Sequence, residues 1–271
     1  MALTFHKFHG AGNDFIIIDD RSGMFSKQVE ETQKHIAQLC RRHFGIGADG
    51  LMLLKNSENN DFSMVYFNSD GREGSMCGNG GRCMVAFADT LGLVGNQTTF
   101  AAIDGLHKAL INHRGHDNWD ISLKMNDVEA IQGHGREFAL NTGSPHLVVF
   151  SENIPNKDVN AEGRAIRYSP AFVREGINVN FTEVLDKHTL RMRTYERGVE
   201  NETLACGTGA TAVALAAWTA GYRNPDNHYI LQAPGGELRV AFTPDEDNEG
   251  KFTDIWLSGP VKKVFSGVIE I

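Results

Sequence analysis

Two short motifs place a cysteine directly before a glycine-rich turn and a helix-forming segment: MCGNGGRC at residues 76–83 and ACGTGATA at residues 205–212. A thiol at a helix amino terminus lies at the positive end of the helix dipole, beside amides that have no acceptor within the helix. This position lowers a thiol pKa from about 8.5, in favourable cases to between roughly 3.5 and 7.5. Glycines let such amides approach an anion closely, a carboxylate for example. Each motif therefore predicts a reactive thiol, Cys77 or Cys206, beside an anion-binding turn.

Two such thiols suit epimerisation at a carbon next to a carboxylate. One face of the carbon loses a proton and the opposite face receives one, so the reaction needs a base and an acid on opposite sides. Negative charge develops on the carboxylate oxygens, where amides from two helix starts can stabilise it without a metal ion. We therefore interpret Cys77 and Cys206 as a catalytic thiolate and thiol that exchange roles with the direction of reaction.

The remaining cysteines and the histidines predict neither catalysis nor metal binding. Cysteine is commonly buried, and Cys40 and Cys83 lie within helix-like segments, so both are expected in the core. The eleven histidines show no paired spacing such as H-x-x-x-H and no C-x-x-C occurs, so no metal site is expected. The segment GNGG lacks the G-x-G-x-x-G spacing of a dinucleotide site. No cofactor is expected.

The two cysteine motifs belong to a longer internal repeat. When the halves are aligned on the cysteines, Gly80 matches Gly209 and Gly92 matches Gly221. The shared order of turn, helix and closing glycine indicates duplication.

Each half is expected to contain a strand, the cysteine turn and a helix. Alternating residues predict strands in DFSMVYFNSDG at 61–71 and around Leu190 and Met192, and helical spacing follows Cys77 until Gly92. The segment ATAVALAAWTAG at 210–221 carries no charge and is expected to be a helix buried on every side. Strands at 119–126 and 237–242 are expected around it.

These patterns predict an α+β protein of two pseudo-symmetric domains, each a curved sheet wrapped around a central helix. The polar segment HRGHDN at 113–118 marks the join, which gives domains of residues 1–118 and 119–258.

Composition excludes several classes of function. The 271 residues carry a net charge of −8 without a basic cluster, so no nucleic-acid partner is expected. No segment approaches the roughly 18 apolar residues of a membrane span, and the amino terminus lacks the features of a signal peptide. Four scattered cysteines do not form a secreted disulfide framework. We expect a cytoplasmic protein that does not bind membranes.

Seven motifs in order resemble the diaminopimelate epimerases, which are pyridoxal-independent amino-acid epimerases of lysine and cell-wall biosynthesis. They are FHGAGNDFIIID (8–19), GIGADG (45–50), FNSDGREGSMCGNGGRC (67–83), GSPH (143–146), GINVNF (176–181), YERG (195–198) and ACGTGA (205–210). The resemblance implies two domains, each a barrel-like mixed sheet rolled around a central helix, with the active site in the cleft between them. It also implies a carboxyl-terminal segment, 259–271, that returns to the first domain. It implies diaminopimelate as the substrate and leaves a homodimer as a candidate assembly.

The resemblance also assigns roles to residues. It implies that Cys77 and Cys206 are catalytic and that His146 and Glu196 tune the pKa values of the thiols. The residues matching substrate contacts are Asn13, Asn68, Gly78, Asn79, Asn178, Glu196, Arg197, Gly207 and Thr208. Among them, Arg197 offers a planar fork for a distal carboxylate.

The sequence departs from the family pattern in a few places. Many members have Asn where this chain has Ser144, some have Gln where it has Gly50, and the segment YERGVENETLAC at 195–206 is one residue longer than is common. These differences bear on substrate contacts rather than on the reaction type.

Two other functions fit parts of the sequence. A proline or hydroxyproline racemase could use the same pair of thiols but has no second carboxylate for Arg197. A thiol hydrolase could use Cys77 as nucleophile and His146 as base, but it leaves the second cysteine motif unexplained.

Overall fold

The computed structural model describes residues 2–28, 32–74 and 76–270, which leaves Ser75 of the motif at 67–83 outside the described residues. In chain order the strands are β1 (Ala2–Gly10), β2 (Asn13–Asp19), β3 (Gly50–Lys55), β4 (Phe62–Asn68), β5 (Gln97–Ala102), β6 (Gly105–Arg114), β7 (Asn118–Lys124), β8 (Gln132–His134), β9 (Glu137–Asn141), β10 (Pro145–Phe150), β11 (Asn178–Val184), β12 (Thr189–Glu196), β13 (Asn201–Thr203), β14 (His228–Ala233), β15 (Gly236–Pro244) and β16 (Phe252–Glu270). The helices are α1 (Met24–Gln28), α2 (Thr32–Cys40), α3 (Gly78–Thr90), α4 (Val159–Arg167) and α5 (Gly207–Thr219), with a 3₁₀ turn at Ile154–Asn156. None of the helices in the described ranges is long and apolar enough to cross a bilayer.

The chain divides into two units, Met1–Leu123 with Gly259–Ile271, and Lys124–Ser258. The first stretch of the first unit thus ends five residues beyond the join expected at residue 118. The polar segment at 113–118 is the turn of the β6–β7 hairpin, and β7 pairs with β6 and with the part of β16 that begins at Gly259. From the sequence, a strand at 119–126 is expected beside the second helix. Most of that segment is β7, and β7 belongs almost entirely to the first unit.

The first unit is a closed ring of eight strands around α3. Strands β1 to β7 pair in sequence order, and the carboxyl-terminal part of β16 pairs with both β7 and β1. Helix α3 packs on β1, β2, β3 and β4, and its residues from Gly78 to Ala88 are all buried. The outer face of β2 and β3 packs on the short helices α1 and α2, where Phe25, Ile36 and the buried Cys40 lie. Because these inner strands are covered on both faces, they are almost entirely apolar.

The second unit repeats this arrangement around α5. Its strands run in the order β8, β9, β10, β11, β12, β14, β15 and the start of β16, and α5 contacts six of them. The helix is rich in alanine, the strongest helix former, and is buried from Ala210 to Ala217 as the uncharged sequence predicts. Helix α4 covers the outer face of β10 to β12, as α2 does in the first unit.

The two units share the same succession of pairings. Strands β2–β3 and β4–β5 are parallel, as are β10–β11 and β12–β14, and the intervening pairs are antiparallel in both units. Both central helices also end alike. At Gly92 and Gly221 the backbone is left-handed (φ 68° and 93°), and the next amide bonds back to Ala88 or Ala217. The two-domain α+β fold, with a sheet around a central helix in each unit, is confirmed.

Candidate active site

Cys77 lies immediately before α3. Its backbone is extended (φ −97°, ψ 128°), and the first intrahelical hydrogen bond runs from the Gly81 amide to the Cys77 carbonyl at 2.7 Å. The amides at residues 78–80 precede this bond and lie at the positive end of the helix dipole. The thiol therefore stands next to a backbone turn of the kind that binds anions.

The Cys77 thiol is hydrogen-bonded to Asn13, the first residue of β2, and Asn13 is in turn hydrogen-bonded to Asp49. The sulfur donates to Asn13 Oδ1 at 3.5 Å, and the same oxygen accepts from Asn79 Nδ2 at 3.4 Å. Asn13 Nδ2 in turn donates to Asp49 Oδ2 at 2.7 Å, and Arg42 binds the other Asp49 oxygen. The orientation of the Asn13 amide is thus fixed, with its oxygen towards the sulfur.

Arg82 is a fully buried cation at the start of the second turn of α3. Its Nη2 donates to Asn79 Oδ1 at 2.7 Å, whereas Nε and Nη1 have no hydrogen-bond partner among the described residues. Burial lowers the pKa of Arg82, and the nearby Cys83 and Cys77 oppose that effect electrostatically. By the same interaction, the guanidinium favours the thiolate form of Cys77.

Cys206 occupies the matching position before α5. Its backbone is extended (φ −118°, ψ 113°), and the Ala210 amide donates to its carbonyl at 2.8 Å. The sulfur lies 3.5 Å from Thr208 Oγ1. A side chain at Gly209 is excluded, since a Cβ there would lie 2.5 Å from Asn180 Oδ1 and 3.2 Å from the sulfur.

A chain of buried side chains leads from β12 to this thiol. Thr194 Oγ1 donates to Asn180 Oδ1 at 2.9 Å, which turns the Asn180 amide nitrogen towards His146 Nδ1 at 3.1 Å. The imidazole proton is therefore on Nε2, which donates to Thr208 Oγ1 at 2.9 Å. Since the Thr208 hydroxyl accepts this bond, its own proton is available for donation to the Cys206 sulfur, 3.5 Å away.

The burial and hydrogen bonds of His146 determine its protonation state. Burial, and secondarily the charge of Arg197, lower its pKa to about 3, so the ring is neutral at physiological pH. Both ring nitrogens are engaged, by Asn180 and Thr208, and neither is left for Cys77. The hydrolase alternative, in which His146 is the base for Cys77, is therefore not supported.

Arg197 lies at the exposed edge of the second unit, next to a polar cluster. Asn178 donates to Ser144 Oγ at 2.9 Å and accepts from the Arg197 amide, also at 2.9 Å. The guanidinium donates to the Glu175 carbonyl at 3.0 Å and lies 3.5 Å from Ser144 Oγ. The neighbouring Glu196 accepts from Thr203 Oγ1. Ser144 thus joins two of the residues expected to contact substrate.

Asn68 lies at the exposed end of β4, where its register partner is Gly50. A Cβ at Gly50 would lie 2.5 Å from the Tyr66 ring and 2.6 Å from the Phe67 carbonyl, so this chain has no room for a side chain there. The departure at Gly50 therefore has a steric cause.

The structure brings most expected site residues into two groups, one in each unit. Asn13, Cys77 and Asn79 are linked in the first, and His146, Cys206 and Thr208 in the second. The sequence interpretation missed the residues that support these groups: Asp49, Arg82, Asn180 and Thr194. The period of two in GINVNF, which puts Asn178 and Asn180 on one face of β11, was an available signal for one of them.

Comparison with known proteins supports the duplication as well as the resemblance. A family model described as "Diaminopimelate epimerase" matches residues 5–131 and again residues 138–264. A diaminopimelate epimerase of Flavobacterium psychrophilum is 49% identical over 267 residues, with 98% of this chain and 100% of that protein covered. One from Aquifex aeolicus is 38% identical over 279 residues, covering 98% and 97%.

Solved structures of other proteins share the fold. A Bacillus anthracis phenazine biosynthesis protein of the PhzF family matches with a TM-score of 0.75 at 15% identity, over 100% of both chains. A hydroxyproline epimerase of Agrobacterium vitis, solved with bound trans-4-hydroxy-L-proline, matches with a TM-score of 0.67 at 12% identity, over 99% and 92%.

Proposed function

Because the chain belongs to the diaminopimelate epimerase family and is an epimerase, we propose that it interconverts LL- and meso-2,6-diaminopimelate with Cys77 and Cys206 as the two bases. One thiolate removes the α-proton and the other thiol delivers a proton to the opposite face. The charge that develops on the carboxylate is stabilised by amides at the starts of α3 and α5. The mechanism requires both sulfurs to reach one α-carbon.

The observation that carries the proposal is the recurrence of one thiol arrangement in both units. Each cysteine has an extended backbone, directly precedes a buried helix and has a polar side-chain neighbour 3.5 Å from its sulfur. An isolated helix-start cysteine has many explanations, but two in matching positions suit a reaction that treats both faces of one carbon alike.

The cluster of Ser144, Asn178 and Arg197 is the part of the site that we assign to the distal carboxylate. Arg197 is held through its backbone amide by Asn178 and through its guanidinium by Glu175 and Ser144, so its fork is oriented before substrate arrives. A proline-type racemase has no use for this cation, because its substrate carries a single carboxylate.

The experiment is proton exchange in heavy water. LL-Diaminopimelate incubated with the enzyme should gain deuterium at one α-carbon as it epimerises, while proline should not exchange. Cys77→Ser and Cys206→Ser should each lower the rate of epimerisation at least about 10²-fold, because a serine hydroxyl is a far weaker acid than a thiol and is not ionised to its basic form near neutral pH. Cys40→Ala is the matched control, since this thiol is in the core of the first unit.

The proposal fails if either serine variant, shown to be folded by circular dichroism, retains epimerisation within about twofold of wild type. Faster exchange of proline than of diaminopimelate would instead favour the racemase alternative. Lysine and peptidoglycan-precursor biosynthesis and a homodimer remain predictions of the family resemblance, and a cytoplasmic location remains a prediction from composition.

A further inference from the structure

Three potential metal ligands meet in the second unit at the amino ends of β12 and β14. His188 directly precedes β12, His228 is the first residue of β14, and Asp226 lies two positions before it. One ligand atom from each of the three side chains lies within 4.8 Å of the others. The two imidazole rings are 5.7 Å apart between centroids.

Two hydrogen-bonded turns hold the backbone of this cluster. On the β12 side, Asp186 Oδ1 accepts from the amides of His188 and Thr189, both at 2.8 Å. On the β14 side, the buried Asn224 side chain accepts from the Asp226 amide at 3.1 Å and donates to the His228 carbonyl at 2.6 Å. The two turns are joined by the bond from the Ile230 amide to the His188 carbonyl at 2.8 Å.

A left-handed residue directs two of the ligands to the same place. Asn227 has φ 49°, a conformation that asparagine tolerates better than most residues. Asp226 and His228 flank this residue, and each places a ligand atom within 4.8 Å of one on His188.

The three side chains have unused ligand capacity. Among the residues that the structure describes, no hydrogen bond engages the Asp226 carboxylate or the ring nitrogens of His188 and His228, and His188 Nδ1 is buried without a partner. A buried polar atom left without a partner destabilises the folded state, and a bound metal ion would remove that cost. Both histidines are half-buried and Asp226 is exposed, so an ion can enter from solvent.

We propose that His188, Asp226 and His228 bind one divalent transition-metal ion, with Zn²⁺ as the best match. Two imidazoles and a carboxylate are a common ligand set for such ions, and water can complete the coordination. Ligand atoms around a tetrahedral zinc ion lie about 3.3 Å apart for bond lengths near 2.0–2.1 Å. Small changes in the side-chain torsions of the three ligands can close the difference between this spacing and the 4.8 Å within which their ligand atoms lie.

The site is remote from the thiol of the same unit. Cys206 precedes α5, whereas Asp226 follows its other end, and the helix alone is about 20 Å long. A metal ion here therefore has no part in proton transfer at Cys206. It would instead tie the start of β12 to the start of β14 and so stabilise the folded unit, independently of the proposed epimerase chemistry.

The test is metal titration of the full-length, untagged enzyme after treatment with a chelator. Zn²⁺ is titrated in competition with a chromophoric chelator, and Co²⁺ serves as the spectroscopic probe. The variants are His188→Gln, His228→Gln and Asp226→Asn, with His134→Gln, an exposed histidine of the same unit, as the matched control.

We expect one Zn²⁺ per wild-type chain, and affinity at least about tenfold weaker in each of the three variants but unchanged in the control. Zn²⁺ should raise the thermal midpoint by several degrees in the wild type and the control only. Co²⁺ should give visible bands of nitrogen and oxygen ligands without a thiolate charge-transfer band.

Three results would overturn the inference: no tight Zn²⁺ binding, equal affinity in wild type and all three variants, or a Co²⁺ spectrum dominated by thiolate ligation. Asp226→Asn changes an exposed side chain, so we expect this variant to fold like the wild type. Its far-ultraviolet circular dichroism without metal should match that of the wild type.

Discussion

Replacing Thr208 with valine tests whether the buried chain behind Cys206 controls the acidity of its thiol. Valine has nearly the shape of threonine but no hydroxyl, so the variant loses the Oγ1 that lies between His146 Nε2 and the Cys206 sulfur. Thr208→Ser retains the hydroxyl and is the matched control. The backbone bond from Thr142 Oγ1 to the Thr208 carbonyl is available to both variants.

The size of the pKa shift expected for Cys206 in Thr208→Val follows from the contacts of the Thr208 hydroxyl. A hydrogen bond to a charged acceptor contributes about 1.5–3 kcal/mol, and each pKa unit corresponds to about 1.36 kcal/mol. The separation of 3.5 Å between Oγ1 and sulfur favours the lower end, so the thiol pKa of Cys206 should rise by about one unit. The variant should also lose about 1–3 kcal/mol of unfolding free energy, because the His146 Nε2–H is left buried without an acceptor.

The measurement is the ultraviolet absorbance of the thiolate as a function of pH, in a Cys77→Ala background. The remaining thiols do not interfere, because burial raises the pKa of Cys40 to about 12 and raises that of Cys83 as well. In the otherwise wild-type enzyme, the acidic limb of the kcat/KM profile should move to higher pH for the direction in which Cys206 is the base. An unchanged Cys206 pKa in Thr208→Val, or an equal shift in Thr208→Ser, would refute the role of the hydroxyl.

Three further predictions concern the same two groups of side chains. Gly209→Ala should destabilise the protein by about 1–3 kcal/mol in chemical denaturation, because its Cβ would overlap Asn180 Oδ1 at 2.5 Å. At Gly95 the nearest atom would lie 3.9 Å from an added Cβ, so Gly95→Ala should lower the unfolding free energy far less. Equal losses of unfolding free energy in the two variants would contradict the steric argument. Arg82→Met should raise the thiol pKa of Cys77 in a Cys206→Ala background, because it removes a buried cation that interacts with this thiol. The exposed control Arg72→Met should leave this pKa unchanged. Identical thiol titrations of Arg82→Met and the parent protein would exclude the effect. Stability should fall as the pH decreases from 6.5 towards 3, by up to about 1.4 kcal/mol per pH unit, because His146 takes up a proton in the unfolded chain but not in the folded one. Denaturation at several pH values should show that the unfolding free energy of His146→Gln depends less steeply on pH than that of the wild type. The same slope in both proteins would mean that other groups cause the pH dependence.

The local features of both units could be predicted from the sequence because they depend on neighbours along the chain. The helix of residues 210–219 is set by alanine propensity, the stops at Gly92 and Gly221 by their left-handed backbone, and the positions of Cys77 and Cys206 by the glycines that follow them. The internal repeat then indicated two similar units, and the structure shows the same order of pairings in each. The unit boundary lies five residues beyond the predicted join, and composition does not locate it more closely because a hairpin turn and an interdomain linker have the same polar composition.

The supporting contacts of the site were decided by strand register, which no local pattern specifies. His146 meets Asn180 because β10 and β11 run parallel with His146 opposite Asn178, and a shift of one residue would turn Asn180 to the other face. The neutral state of His146 follows from burial that only the folded unit provides.

The sequence by itself therefore determined where the two thiols stand, because a helix start is defined within a few residues of chain. Only the tertiary structure decided what surrounds them, and it alone brought His188 together with His228 on neighbouring strands. The physical reason is the range of the interactions: capping and helix propensity act over one turn of helix, whereas side-chain networks and metal ligands depend on pairings between distant segments.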